Sequence, residues 1–191
     1  MAIVISGNGI DMGNNPVSNV TVNNNVDVVD KEYVDDSINL NNTILQVVYA
    51  ENKVEGSGSL TIPADGTIPQ ITEGHEILTC TITPKKANSR LLIEFAPSAQ
   101  EVANVGYILT VACFRNGVSN ALYQTASNVA DSRLLENNIT GRFMIDTPTT
   151  SPITFSLRAG AEVASIKWNK ITGSNNKMNT STTMTITEIA R

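Results

Sequence analysis

A chain of 191 residues with 41% hydrophobic residues is long enough for one good core and too short for two large ones. Charged residues make up only 16%, against about 25% in an average soluble protein. Thr, Ser and Asn fill the deficit, which suits sheets and turns better than helices. The net charge of −5, with Lys and Arg scattered, argues against nucleic acid as the main partner. No apolar run approaches the ~18 residues that cross a bilayer, so no membrane insertion is expected.

The opening MAIVISGNGID has neither a basic lead nor a long apolar core. It is not a signal peptide, and synthesis and folding in a cytoplasm are expected. Ile3, Val4 and Ile5 form a short apolar strand before the turn-rich Ser6-Gly7-Asn8-Gly9. Pieces this small need another surface to pack against. A helix is predicted from Asp27 or Asp30 to Leu40, with Asp30 able to cap it and Glu32 in its first turn. Val26, Val29, Tyr33 and Leu40 fall at heptad-like steps. About three turns are marginal alone in water, so the segment is either a short trimeric coil or one amphipathic helix on its own domain. TILQVVYA, residues 43–50, reads as a strand, and ENKVEGSGS, residues 51–59, as a hydrophilic linker.

The predicted domains are therefore 1–57, an N-terminal anchoring and trimerising segment, and 58–191, a β-rich head. Within the head, Leu60 and Ile62 start the first strand, Leu78, Cys80 and Ile82 alternate with threonines, and Leu91, Ile93 and Phe95 alternate next. Leu109, Val111 and Cys113 follow. Asn116-Gly117 is the strongest hairpin signal, with 118–123 as its returning strand. Further alternating sets are Ile139, Phe143 and Ile145; Ile153, Phe155 and Leu157; Ile166 and Trp168; and Met184, Ile186 and the nearby Ile189. Gly141 marks a possible bulge. This spacing predicts a mainly β protein whose head is an antiparallel β-sandwich or jelly roll. Ile77, Leu92 and Tyr107 fall on the outward faces, where subunit contacts or ordinary exposed scatter account for them.

No catalytic constellation is recognisable, and no cofactor or metal site is expected. The single His75 sits in a turn and is expected to be solvated. Cys80 and Cys113 lie in alternating stretches, where free buried thiols are expected. Trp168 and Tyr123 are expected to pack rather than to stack on a sugar. Loops 124–132 (QTASNVADS) and 173–180 (GSNNKMNT) are the longest, and Asn128, Asp131, Asn175 and Asn176 are their candidate receptor contacts.

Three stretches resemble short bacteriophage tail-fibre proteins. Ile3-Val4-Ile5-Ser6-Gly7-Asn8-Gly9-Ile10-Asp11, with Asn15-Pro16 after it, is similar to their start. Val28-Val29-Asp30-Lys31-Glu32-Tyr33-Val34-Asp35 resembles the element preceding trimeric shafts, and its single occurrence implies no long shaft. Ser59-Leu60-Thr61-Ile62-Pro63 through Ile71-Thr72-Glu73-Gly74, with the closing Thr187-Glu188-Ile189-Ala190, is similar to heads in the style of trimeric tumour-necrosis-factor jelly rolls. The resemblance implies a homotrimeric virion fibre assembled in the host cytoplasm. Ile3, Val4 and Ile5 would anchor it to another virion protein, and the head would meet a host-surface glycan or protein. A capsid head fibre, collar or decoration protein without a receptor role fits the same plan. A glycan-degrading tailspike fits less well, since no catalytic pair is recognisable.

Overall fold

The computed structural model describes residues 44–102, 108–128, 139–163, 165–172 and 177–191, all within the unit Asn42–Arg191. The proposed helix and the anchor strand lie outside these residues.

Eight longer strands form the body: β1 (Ile44–Asn52), β3 (His75–Ile82), β4 (Ser89–Ala96), β6 (Ile108–Arg115), β7 (Tyr123–Asn128), β8 (Gly141–Thr147), β9 (Ile153–Ala161) and β13 (Thr182–Ile189). The three-residue strands are β2 (Gly56–Gly58), β5 (Ala99–Glu101), β10 (Ile166–Trp168), β11 (Lys170–Thr172) and β12 (Lys177–Asn179). One sheet has the order β1-β13-β4-β8 and the other β3-β9-β6-β7. Among the eight, the first pairs with the last, the second with the seventh, the third with the sixth and the fourth with the fifth, all antiparallel. That nesting is a jelly roll. A smaller sheet, β2-β10-β5, and the hairpin β11-β12 complete it.

The inward faces follow the alternation in the sequence. Leu91, Ile93 and Phe95 of β4 and Met184 and Ile186 of β13 meet Cys80, Ile82, Val111, Phe155 and Leu157 of the opposite sheet. The two cysteines are buried free thiols, and burial, then the nearby Cys80, pushes the Cys113 thiol up to about 12. β6 and β9 are buried on nearly every residue. Residues 59–74 cross their outer face as a strap, packing Ile62 and Ile71 on Ala112 and Phe114. Arg158 ties the strap down: its Nε donates to the Glu73 carbonyl at 2.7 Å and its Nη2 to the Gly74 carbonyl at 2.8 Å.

Several expectations need correction. The division at residue 57 puts Ile44–Asn52 with the anchor, yet β1 pairs along its length with β13, and Val48 and Ala50 pack on the core. The sandwich therefore begins at Ile44. The Gly/Ser stretch read as a linker is strand β2, whose small residues let the Trp168 and His75 rings lie against the backbone. A register shift between Glu76 and Leu78 turns both Ile77 and Leu78 inward. Asn116-Gly117 does form a turn, with Gly117 at φ +80° and the Val118 amide donating to the Arg115 carbonyl at 3.1 Å. The returning strand starts only at Tyr123, because residues 119–121 bond to the strap instead: Ile71 N donates to Ser119 O and Ala121 N to Pro69 O.

Gly141 opens β8 opposite Phe95 and is no bulge. A Cβ there would lie 2.0 Å from the Phe95 ring, which is held edge-on by Tyr123. Gly141→Ala should therefore lower the unfolding free energy by about 2 kcal/mol, the range of overpacked cores. Urea unfolding measures it, and an unchanged midpoint would contradict the packing.

The inward face of β13 is polar at both ends. Glu188 is fully buried, where the sequence pattern put Ile189. Its carboxylate accepts hydrogen bonds from Lys85 N (2.9 Å), Lys86 N (3.1 Å), Ser89 Oγ (2.6 Å) and Gln46 Nε2 (2.6 Å). It thus closes the β3–β4 turn onto β1. At the other end, Thr182 Oγ1 donates to the buried Asn169 Oδ1 at 2.8 Å. Asn169 is held at φ +56°, and its Nδ2 donates to Val54 O at 2.9 Å.

Candidate functional site

Among the described residues, the outer face of the β1-β13-β4-β8 sheet is unlike an ordinary solvated surface. An antiparallel sheet packed on one side normally turns polar residues outward. Here the cross-strand register lines up Val47, Thr187, Leu92 and Met144 in one row across all four strands. The next row is Tyr49, Thr185, Glu94 and Arg142. Val47 and Tyr49 are 58% and 59% exposed and Met144 40%. The charges on this face are paired: Asp146 lies 3.3 Å from both Arg90 and Arg191, and Arg142 lies 3.3 Å from Glu94. These exposed pairs contribute little to folding. They leave a face of mostly hydroxyl and apolar groups, on which three arginines meet two carboxylates. A concavity of about 330 Å³ between Phe95, Gly141, Arg142 and Thr183 lies at one end.

The sequence pattern had singled out Leu92, which is indeed half-buried and outward-facing on this sheet. Val47, Tyr49 and Met144 were missed. Their alternation is plain once β1 and β8 are known to be strands of the sandwich, with Val48 and Ala50 inward and Val47 and Tyr49 outward.

The other candidates are not gathered into a site. Val26, Val29, Tyr33 and Leu40, and Ile3, Val4 and Ile5, lie outside the described residues, as do Tyr107, Asp131, Asn175 and Asn176. Asn128 is not in a loop: it ends β7, paired with Ile108. The loop read at 173–180 contains a strand, since Lys177–Asn179 pairs with β11. Among the described residues, no group of three or more His, Cys, Asp or Glu gathers that could hold a metal ion.

His75 is not simply a solvated turn residue. It opens β3, stacks on Trp168 with ring centroids 5.3 Å apart, and accepts the Leu60 N–H on Nε2 at 2.9 Å. Burial, and then the Arg158 charge, hold its pKa below the ordinary 6.5. The neutral ring is thus the folded form, so its contribution is present above 6.5 and is lost as the pH falls below that value toward the folded pKa. Trp168 is the one tryptophan of the chain. Its emission should be quenched by the stacked imidazolium with a midpoint below 6.5, and His75→Gln should abolish that step. A midpoint at or above 6.5 would contradict the stack.

A family model described as the Pgp3 C-terminal domain matches residues 45–190, nearly the whole described sandwich and its β1 boundary. The chain belongs to the Pgp3 C-terminal domain family. No curated protein matches. Among solved structures, the chain is similar to the Eiger TNF of S. frugiperda, at 9% identity and a TM-score of 0.43, over 75% of this chain and 92% of that one. It is also similar to the P-domain of Macrobrachium rosenbergii nodavirus, at 19% identity and a TM-score of 0.27, over 76% and 93%. A chain of the Israeli acute paralysis virus particle matches at 9% identity and a TM-score of 0.30, over 90% and 83%. Likenesses this distant carry no argument about function. As a Pgp3 C-terminal domain, the chain has its family boundary at the start of β1, in agreement with the strand pairing.

Proposed function

We propose that this protein is a homotrimeric, non-catalytic fibre subunit of a virion, whose N-terminal segment anchors it and whose jelly-roll head faces outward. The observation that carries the proposal is the Val47–Thr187–Leu92–Met144 row. A monomer gains nothing from exposing it, whereas copies arranged about one axis would cover it. Contacts about a threefold axis are heterologous, so the row of one copy would meet a different patch of the next. The resemblance of residues 1–35 to tail-fibre starts supports an anchoring role for that segment, and the tail is the preferred site.

Removal of residues 1–43 is the test. The truncated head should fold and lose incorporation into particles, and antibodies to the head should label the tail of intact particles. Labelling of the capsid or collar would favour a decoration protein. Normal incorporation of the truncated chain would contradict the anchor.

A further inference from the structure

On the opposite sheet, a pocket of about 190 Å³ lies between Ile71 of the strap and the Asn116–Gly117 turn, over β3 and β9. Its floor is polar. Thr79 and Ser156 are direct cross-strand partners, and Glu76 opposes Arg158 further along the same ladder. Thr154 adds a hydroxyl already bonded to Thr81 at 2.8 Å.

Arg158 is held before any ligand arrives. Its Nε and Nη2 are committed to the strap carbonyls, and its side chain is only 15% exposed. The third nitrogen, Nη1, stands 3.8 Å from the Glu76 carboxylate. That separation is within ion-pair reach but too long for a direct hydrogen bond, and one oxygen seated beside the pair can bond to both. The bridging oxygen must accept from the guanidinium and donate to the carboxylate. A hydroxyl does both. A carboxylate or phosphate oxygen cannot donate, and Glu76 would repel it.

We infer that this pocket binds a neutral sugar ring, one hydroxyl of which bridges Arg158 and Glu76. A sugar ring offers adjacent hydroxyls that donate and accept in turn, matched here by Thr79, Ser156 and Asn116. Its C–H face offers an apolar surface, matched by Ile71. The inference deepens the outward-facing-head reading and rests on it for its biological use.

The test uses the full-length protein. Methyl glycosides of glucose, galactose and mannose are titrated by saturation-transfer NMR, with N-acetylneuraminic acid as the anionic comparator. At least one neutral glycoside should bind saturably, with a Kd on the order of 1 mM for one small site. Glu76→Ala and Thr79→Val, both at exposed positions, should each weaken it about tenfold while the fold is retained. Absence of saturable neutral binding, binding of the anionic sugar alone, or binding unchanged in both variants would overturn the inference. Sedimentation of the same samples separates the two readings: a trimer that binds no sugar removes the pocket and leaves the fibre, and a monomer that binds sugar does the reverse.

Discussion

Glu188→Ala should lower the unfolding free energy by about 3 kcal/mol and the melting temperature by roughly 10 °C. The carboxylate lies on the inward face of β13 with no exposure and four hydrogen bonds. Truncation would orphan two backbone amides at the β3–β4 turn together with Ser89, while Gln46 keeps its bond to the Thr83 carbonyl. Glu188→Gln keeps one acceptor oxygen and loses the other, so it should fall between wild type and alanine. Burial by itself would raise the Glu188 pKa. The bonds from Lys85 N, Ser89, Gln46 and Lys86 N together outweigh it and hold the carboxyl below its ordinary value of 4.5. A depressed carboxyl pKa means stability that is present above 4.5 and is lost as the pH falls through the folded pKa. Urea midpoints measured from neutral pH down to acid should therefore fall below 4.5 in wild type and fall less in Glu188→Ala. Equal acid dependence in both proteins would show that Glu188 is not the group responsible.

The second large effect concerns assembly. Met144→Glu should convert the proposed trimer to a folded monomer at micromolar concentration. The side chain is 40% exposed in the single protomer, so a carboxylate there is tolerated by the fold. In an assembled face the same charge is buried without a partner, at a cost of several kcal/mol. Threefold symmetry repeats that cost at every contact. Val163→Glu, at an exposed position away from this sheet, should leave the assembly unchanged. Dissociation by both substitutions, or by neither, would place the subunit contact elsewhere.

The central strands were legible because their inward residues are apolar and their neighbours polar. Leu91, Ile93 and Phe95 show this in β4, and Ile153, Phe155 and Leu157 in β9. The start of the sandwich was not legible, because small polar residues at 56–58 look like a linker until Trp168 and His75 are seen packed on them. Glu188 was hidden for a related reason: a carboxylate on the buried side of a strand breaks the alternation, and only the folded turn at Lys85 and Lys86 supplies its donors. Leu60 and Ile62 read as the first strand of the head, yet residues 59–69 form none: they belong to the strap, whose cover over Phe114 periodicity does not show. The apolar row was invisible for a topological reason. Its four members come from strands far apart in the chain, and only the jelly-roll order places Val47, Thr187, Leu92 and Met144 side by side. Only composition points to the receptor-loop residues, and composition does not reveal that Asn128 belongs to β7.

Sedimentation equilibrium of the full-length protein at micromolar concentration tests the central claim most directly. Three copies of a 20.5 kDa chain should sediment as one species of about 60 kDa. A fully folded species at the mass of one chain, stable across the concentration range, would contradict the account.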